Sequence, residues 1–172
     1  MKAAGLTTSL DTNDDPDDRW DGELDQTLAS VDVLLLNAHE AIRTARAANL
    51  EEALEKLSKR IRVLVVKSGA EGSIARRGRE EYRTRPPAVE TVDTVGAGDS
   101  FDAGFLHQFS RGADLERCIA SGSLAGAFST TRPGGTEAFR DRAHFEEFFR
   151  RHSVPQADAL SRPGAAPFRA KP

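Results

Sequence analysis

Two short, uninterrupted apolar runs, separated by an amphipathic segment, constrain the fold of this chain more than any other feature. The first run, VDVLLLN at Val31–Asn37, ends in a polar residue, and the second, IRVLVVKSG at Ile61–Gly69, ends in a glycine. Runs of this kind are typical of strands that are buried on both faces of a sheet. Between them, Glu40–Arg60 carries apolar residues at roughly helical spacing, which predicts a crossover helix. The order strand, helix, strand predicts parallel pairing through a right-handed connection.

The segments after the second run predict a hairpin, three helices and a tail. A looser alternation around Gly78 is typical of a partly exposed β-hairpin. The helices are predicted at Ser100–Ser110, Asp114–Thr130 and Asp141–His152. From residue 153 onward, four prolines and little periodicity predict a disordered tail over 153–172. We therefore expect one α/β domain at 1–152, built on a mostly parallel sheet that is flanked by helices.

Charge and cysteine usage narrow the class of protein. A formal net charge of −3, with 30% charged residues, argues against a general nucleic-acid binder, because neutralising phosphates needs a concentrated basic surplus. No apolar run has the length of a signal peptide or a membrane span, so we expect no membrane contact. The single cysteine, Cys118, cannot form an internal disulfide and lies in an apolar helical pattern. We expect it to be buried, in a protein of the reducing cytoplasm.

An acidic stretch near the N-terminus, DTNDDPDDRWDGELD at Asp11–Asp25, invites comparison with a calcium-binding loop. Alternating acids can supply oxygen ligands, but the glycine and the closing glutamate of such a loop do not occur at the required offsets. We expect instead a solvated loop, followed by a helix that contains Trp20 and Leu24.

The stretch ETVDTVGAGDSFDAGF, at Glu90–Phe105, brings small residues and an acid to one helix start. Gly-Ala-Gly at 96–98 comes directly before Asp99, and a helical apolar pattern follows. A Walker A loop needs a lysine and a hydroxyl residue after its last glycine, where this chain has aspartate and serine. The dinucleotide fingerprint needs a third glycine at the position of Phe101. Neither phosphate-binding motif therefore fits.

The remaining features still indicate phosphate chemistry. Small residues let backbone N–H groups approach an anion closely, and a helix start adds unbonded donors and the positive end of its dipole. Asp99 would repel phosphate there, unless it accepts a proton from a hydroxyl that attacks that phosphate. The alternative is that Asp99 only caps the helix, which is worth about 1 kcal/mol. The four residues GAGD alone leave the two interpretations about even.

A longer comparison favours the first interpretation. DTVGAGDSFDAGF resembles the C-terminal signature of the ribokinase-like (PfkB) carbohydrate kinases, D-T-x-G-A-G-D followed by a helix. Three other segments resemble family segments in the same order, and the resemblance runs from about Ser9 to Arg151. They are the N-x-x-E motif in NAHE at Asn37–Glu40, the nucleotide-loop strand in VVKSGAEGS at Val65–Ser73, and the closing segment in STTRPGGTEAF at Ser129–Phe139. The resemblance implies a ribokinase-like fold and ATP-dependent phosphorylation of a hydroxyl on a sugar or a related small molecule.

The resemblance also assigns roles at the GAGD segment. It implies that Asp99 is the catalytic base, in agreement with the chemistry argued from the residues themselves. The anion hole would consist of the backbone N–H groups of Gly96, Ala97 and Gly98.

Metal and nucleotide positions follow from the same resemblance. Asn37 and Glu40 would organise Mg²⁺ and its waters near the ATP phosphates, although a strand end and a helix cap would explain them equally if taken singly. Lys67 would meet a phosphate or merely extend its charge to the surface. The nucleotide would contact Lys67, Ser68, Gly69, Gly72 and, near the adenine, Ser123. A K⁺ site would use Asp93, Thr94 and the carbonyls of Arg132 and Gly134, for which a hydrogen-bonded strand end is the alternative.

Members of this family are typically much longer than 172 residues. Their first half carries an early Gly-Gly motif, most residues that contact the sugar, and a small β-sheet lid. We expect the chain to lack that half and the lid, and to pair with itself or with a separate chain that supplies them, through an open sheet edge. The alternative function is a truncated, non-catalytic remnant that binds a nucleotide or a partner. The substrate, a sugar or a nucleoside, is not specified by these residues.

Overall fold

The structure, a computed structural model, describes residues 4–15, 17–20 and 23–152, and it divides into two compact units between Arg83 and Thr84. The predicted tail at 153–172 lies outside the described residues.

The first unit contains a five-stranded sheet in the order β1-β2-β3-β4-β5. The strands are β1 (Ser9–Asp11), β2 (Val33–Asn37), β3 (Val63–Lys67), β4 (Ser73–Arg77) and β5 (Glu80–Thr84). β1, β2 and β3 are parallel, and β4 runs antiparallel to β3. Only Gly78 and Arg79 join β4 to β5, so the predicted hairpin is confirmed.

Both predicted apolar strands are present, but each begins two residues later than the run of apolar side chains. The N–H of Val31 donates to the carbonyl of Leu28 at 3.1 Å, and the N–H of Ile61 donates to that of Leu57 at 2.9 Å. These residues close the turn after a preceding helix before the chain becomes extended. Apolar character therefore marks burial, and burial starts before the strand does.

The single predicted crossover helix is wrong, because two helices occupy its place. They are α2 (Ala38–Thr44) and α3 (Leu50–Ser58). Arg46 has φ of 47°, which no helix can continue. The side chain of Asn49 then accepts a hydrogen bond from the N–H of Glu52 at 3.0 Å and caps the new helix. The charged residues between the apolar positions did not reveal this break.

The helix predicted in the acidic stretch is also shorter than expected. It is α1 (Glu23–Leu28), which contains Leu24 but begins after Trp20. Trp20 has φ of 45°, and its N–H and that of Arg19 both donate to Asp15, at 2.9 Å each. The loop is therefore folded around the Asp15 carboxylate, and these N–H groups lower the pKa of that carboxyl.

One face of the sheet packs against helices α1 to α3. Removing each large aliphatic side chain of this core from water contributes roughly 1.5–3 kcal/mol. The members, all exposed by no more than 2%, include Leu28, Leu34, Leu36, Leu54, Leu57, Leu64 and Val66. This core holds the strands whose ends carry several of the predicted site residues.

The hairpin carries a chain of ion pairs centred on Arg76, whose side chain is only 14% exposed. Its guanidinium contacts Glu81 at 2.5 Å and Glu51 at 2.7 Å, and Arg83 contacts Glu81 at 2.7 Å. The hydrogen bond from Arg83, and to a smaller extent the one from Arg76, holds the pKa of the Glu81 carboxyl below its ordinary value. The contribution of Glu81 to the stability of the folded state is therefore present only while its carboxyl is ionised.

A stability measurement in acid tests this network. A lowered pKa in the folded state contributes stability above the pKa of the unfolded chain, and that stability is lost as pH falls through the folded value. In urea titrations from neutral pH to about pH 3, the native chain should lose more unfolding free energy than Glu81→Gln. Glu55→Gln is the control, since Glu55 is exposed and makes no ion pair with a described residue. Equal acid sensitivity in Glu81→Gln and the native chain would contradict the expectation.

Up to residue 152, the second unit contains three α-helices, α4 (Ala97–Ser110), α5 (Leu115–Ser129) and α6 (Arg142–His152), and a short 3₁₀ helix at Glu137–Arg140. Glycines bring α4 and α5 close together, since a Cβ on Gly104 would lie 2.7 Å from the carbonyl oxygen of Ser121. Cys118 is fully buried in α5, as predicted. Within the described part of the chain, no helix is long and apolar enough to cross a bilayer.

The second unit also contains an aromatic cluster centred on Phe128, which is fully buried in α5. Its ring centroid lies 5.0 Å from that of Phe148 and 5.1 Å from that of Phe139. Phe145 and Phe149 complete the set at 5.5 and 5.8 Å. Edge-to-face and tilted rings at these distances attract one another beyond the effect of burial alone. The cluster fixes the end of α5 and the segment that follows it.

Candidate active site

In the first unit, polar side chains end the three parallel strands. Asp11 ends β1, Asn37 ends β2 and Lys67 ends β3, with Asn37 and Lys67 in register. The Lys67 Nζ lies 2.9 Å from Asp11 Oδ2, and the two side chains are only 13% and 25% exposed. Lys67 therefore does not simply extend into solvent. Sequence reasoning missed Asp11, although its place at the end of a strand beside two predicted strands was the available signal.

Asn37 and Glu40 bind each other. The Asn37 backbone N–H and Nδ2 donate to the two carboxylate oxygens of Glu40 at 2.8 and 2.5 Å. In return, Asn37 Oδ1 accepts from the Glu40 N–H at 2.8 Å, which completes a capping box at the start of α2. Glu40 is only 6% exposed. Asn37 therefore ends a strand and caps a helix, as the alternative interpretation of this pair predicts, and both carboxylate oxygens of Glu40 accept hydrogen bonds from Asn37.

Residues 68–72 form a tight turn between β3 and β4. The N–H of Ser68 donates to the carbonyl of Gly72 at 2.8 Å, and the N–H of Gly72 donates to that of Gly69 at 3.1 Å. A short 3₁₀ helix, Gly69–Glu71, lies between them. The predicted nucleotide loop is thus a compact turn that directly follows Lys67.

In the second unit, Asp99 lies in the first turn of α4 and does not cap it. The capping position belongs to Gly96, which has φ of 73° and no side chain to offer. The first helical bond runs from the Ser100 N–H to the Gly96 carbonyl at 2.9 Å. Asp99 is exposed, and its carboxylate accepts no hydrogen bond from any described residue. The capping interpretation of Asp99 is therefore wrong, and the carboxylate is available to a ligand.

The backbone donors at this helix start differ from those that the sequence predicts. The Ala97 N–H is engaged, since it donates to the Thr94 carbonyl at 3.2 Å. The N–H groups of Gly96, Gly98 and Asp99 make no hydrogen bond within the described ranges. Two of the three predicted donors are thus unbonded, and the Asp99 N–H joins them. Unbonded N–H groups at the positive end of a 14-residue helix can bind an anion.

Asp93 ties this segment to the loop after α5. Its Oδ1 accepts from the Val95 N–H at 3.0 Å, and its Oδ2 accepts from the Gly134 N–H at 2.9 Å. The Gly134 and Val95 donors hold the pKa of the Asp93 carboxyl below its ordinary value. The Asp93 N–H in turn donates to the Thr130 carbonyl at 3.2 Å. Asp93 and Gly134, two of the predicted K⁺ ligands, are therefore adjacent.

The remaining predicted positions are less informative. Ser123 is buried in α5 with 6% of its surface exposed. Throughout the ranges that the structure describes, no group of three or more His, Cys, Asp and Glu side chains is placed to hold a metal ion. The residues predicted to hold Mg²⁺ already satisfy each other. Among the predicted phosphate and metal positions, N–H groups at the start of α4 are unbonded within the described residues, whereas Asn37 and Glu40 hydrogen-bond each other.

The chain is similar to known proteins in sequence and in fold. The profile of the pfkB family of carbohydrate kinases matches residues 3–142. The fructoselysine 6-kinase of Shigella flexneri is 36% identical over 132 residues, which are 74% of this chain and 46% of that kinase. The chain therefore spans about half the length of the curated relatives that it matches.

Solved structures extend the likeness to the fold. Adenosine kinase from Sinorhizobium meliloti superposes with a TM-score of 0.72 and 31% identity, over 77% of this chain and 42% of that one. Ribokinase from Arabidopsis thaliana, complexed with ribose and ATP, superposes with a TM-score of 0.74 and 26% identity, over 86% of this chain and 48% of that one. The predicted α/β class, with a mostly parallel sheet and flanking helices, is confirmed.

Proposed function

Because this chain belongs to the pfkB family of carbohydrate kinases, we propose that it is the nucleotide-binding and catalytic part of an ATP-dependent phosphotransferase. The acceptor is a hydroxyl group of a sugar or of a related small molecule such as a nucleoside. The observation that carries the proposal is the start of α4, where an unbonded carboxylate, Asp99, stands beside unbonded backbone donors.

The chemistry follows from that arrangement. The N–H groups of Gly96, Gly98 and Asp99 bind the phosphate oxygens on which charge accumulates during transfer. The Asp99 carboxylate takes the proton of the acceptor hydroxyl while that oxygen forms a bond to the γ-phosphorus. The bond from the γ-phosphorus to its bridging oxygen breaks, and its electron pair leaves with ADP. The products are a phosphate ester, ADP and one proton.

The other predicted contacts belong to the same proposal. Lys67 and the turn at 68–72 contact the nucleotide, and Ser123 lies near the adenine. Mg²⁺, held through water by Asn37 and Glu40, would neutralise phosphate charge. Asp93, Thr94 and the carbonyls of Arg132 and Gly134 would hold K⁺. We assign no step of the reaction to either ion, since Glu40 and Asp93 already accept hydrogen bonds from neighbouring residues.

A second function remains in competition, because the chain covers only 46% of fructoselysine 6-kinase. A module of this size could bind a nucleotide or a partner without turnover, or act only when a copy of itself or a separate chain completes the site. A reducing cytoplasm supplies ATP and suits the single cysteine.

Binding and turnover separate these functions. We expect calorimetry to detect ATP binding in the presence of Mg²⁺, and a screen of sugars and nucleosides to yield one phosphorylated product. The screen is carried out twice, once with this chain alone and once with the chain mixed with the protein that the neighbouring gene encodes. ATP binding without a product under both conditions would favour the non-catalytic module. An absence of ATP binding would overturn the proposed function altogether.

A further inference from the structure

In the second unit, Gly135 packs against Gly96, the residue at the start of α4. A Cβ on Gly135 would lie 3.0 Å from the Val95 carbonyl oxygen and 3.4 Å from the Gly96 Cα. A Cβ on Gly96 would in turn come within 3.0 Å of the Gly135 Cα. The two residues have φ of +69° and +73°, a region that glycine occupies without strain. The loop after α5 therefore touches the residue that starts α4, backbone against backbone.

A contact of the same kind comes from α5 itself. A Cβ on Gly126 would lie 3.1 Å from the Ala97 carbonyl oxygen and 3.4 Å from the Phe101 Cβ. Gly126 lies inside a helix, where alanine is the better helix former, and its φ is ordinary. Close packing against α4 is therefore the structural reason for a glycine at this position.

Both contacts fall on carbonyls that share a peptide group with an unbonded donor. The Val95 carbonyl belongs to the same peptide as the Gly96 N–H, and the Ala97 carbonyl to the same peptide as the Gly98 N–H. A peptide group is planar, so a displacement of its oxygen rotates its N–H in the opposite direction. The two glycines thus limit how the two donors can turn.

We infer that Gly126 and Gly135 are positioning residues, whose missing side chains hold the N–H groups of Gly96 and Gly98 in the direction needed to bind a phosphate. This inference rests on the proposed function for its ligand, and on the backbone contacts alone for its geometry. In this arrangement neither glycine needs to contact the nucleotide. Each acts through the peptide group that lies in front of it.

The experiment uses the full chain and the variants Gly126→Ala and Gly135→Ala. Residual dipolar couplings report the directions of the Gly96 and Gly98 N–H bonds relative to the rest of α4. Gly135→Ala should rotate the Gly96 N–H and Gly126→Ala the Gly98 N–H. Calorimetry with ATP should show affinity reduced by roughly tenfold in each variant, because a charge-assisted hydrogen bond is lost or lengthened. The affinity for adenosine, which lacks phosphates, should not change.

Gly112→Ala is the matched control. Gly112 has φ of +78°, so alanine meets the same backbone strain as at Gly135, but no atom lies within 4 Å of the added Cβ. Urea unfolding measures the stability of all three variants. Any loss of ATP affinity shared with Gly112→Ala is a consequence of strain and not of the contact behind α4.

The possible outcomes separate the two claims. If a variant leaves its N–H direction unchanged, or weakens ATP no more than Gly112→Ala does, the inference is overturned for that glycine. Equal losses of ATP and adenosine affinity would also overturn it, since they indicate a general structural defect. If the native chain binds no ATP, the proposed function fails, and the N–H directions still decide whether Gly126 and Gly135 position the donors.

Discussion

Replacement of Asp99 by asparagine should reduce phosphoryl transfer by about 10²- to 10⁴-fold while nucleotide affinity stays close to that of the native protein. The amide has the shape of the carboxylate but cannot take the proton of the acceptor hydroxyl. The side chain accepts no hydrogen bond from a described residue, so its replacement breaks no hydrogen bond and should not disturb α4. The backbone N–H of residue 99 is kept. Steady-state kinetics with the acceptor found in the screen, together with ATP calorimetry, measure the two quantities.

Glu90→Gln is the control for this substitution. Glu90 is an exposed acid of the same segment, and its neutralisation changes the local charge by the same amount. Its kcat should remain near the native value. Near-native transfer by Asp99→Asn would show that another group takes the proton, and a large loss of ATP affinity would show that Asp99 binds the nucleotide instead.

Phe128→Ala should be the most destabilising single change in the second unit. The ring is fully buried among four phenylalanine rings, and its removal leaves a cavity that the neighbouring helices cannot easily fill. Truncations of this kind cost about 3–5 kcal/mol. Denaturant unfolding followed by circular dichroism measures the loss.

Phe139→Ala gives the comparison within the same cluster. Phe139 is 37% exposed, so its truncation removes less buried surface and opens no closed cavity. We expect a loss well below that of Phe128→Ala. Similar losses for the two variants would mean that the Phe128 ring is not the centre of the cluster's stability.

Hydrophobic pattern predicted the sheet better than the helices. The runs at Val31–Asn37 and Ile61–Gly69 contain β2 and β3, because a strand buried on both faces leaves an unbroken apolar signal. The division between α2 and α3 left no such signal. It depends on the left-handed backbone of Arg46 and on the capping side chain of Asn49, both of which are compatible with an amphipathic pattern.

The helix start at the GAGD segment was predicted in kind but not in detail. Small residues before an acid correctly indicated a helix start with free donors, since that property follows from backbone geometry alone. Which N–H groups remain free depends on a local bond, that of Ala97 to Thr94, which composition does not encode. The pairing of Asp11 with Lys67 joins residues 56 positions apart and could be found only once the strand order was known.

The ion pairs of the hairpin also bear on how this protein behaves at high concentration. β5 ends the sheet on its side, and an exposed strand edge can recruit a strand from another molecule. On β5, Glu81 already forms ion pairs with Arg76 and Arg83. Glu80 forms an ion pair with Arg77 at 2.8 Å. An incoming strand would have to dehydrate these charges before it gained any backbone hydrogen bonds. This border therefore resists fibril-like growth of the sheet.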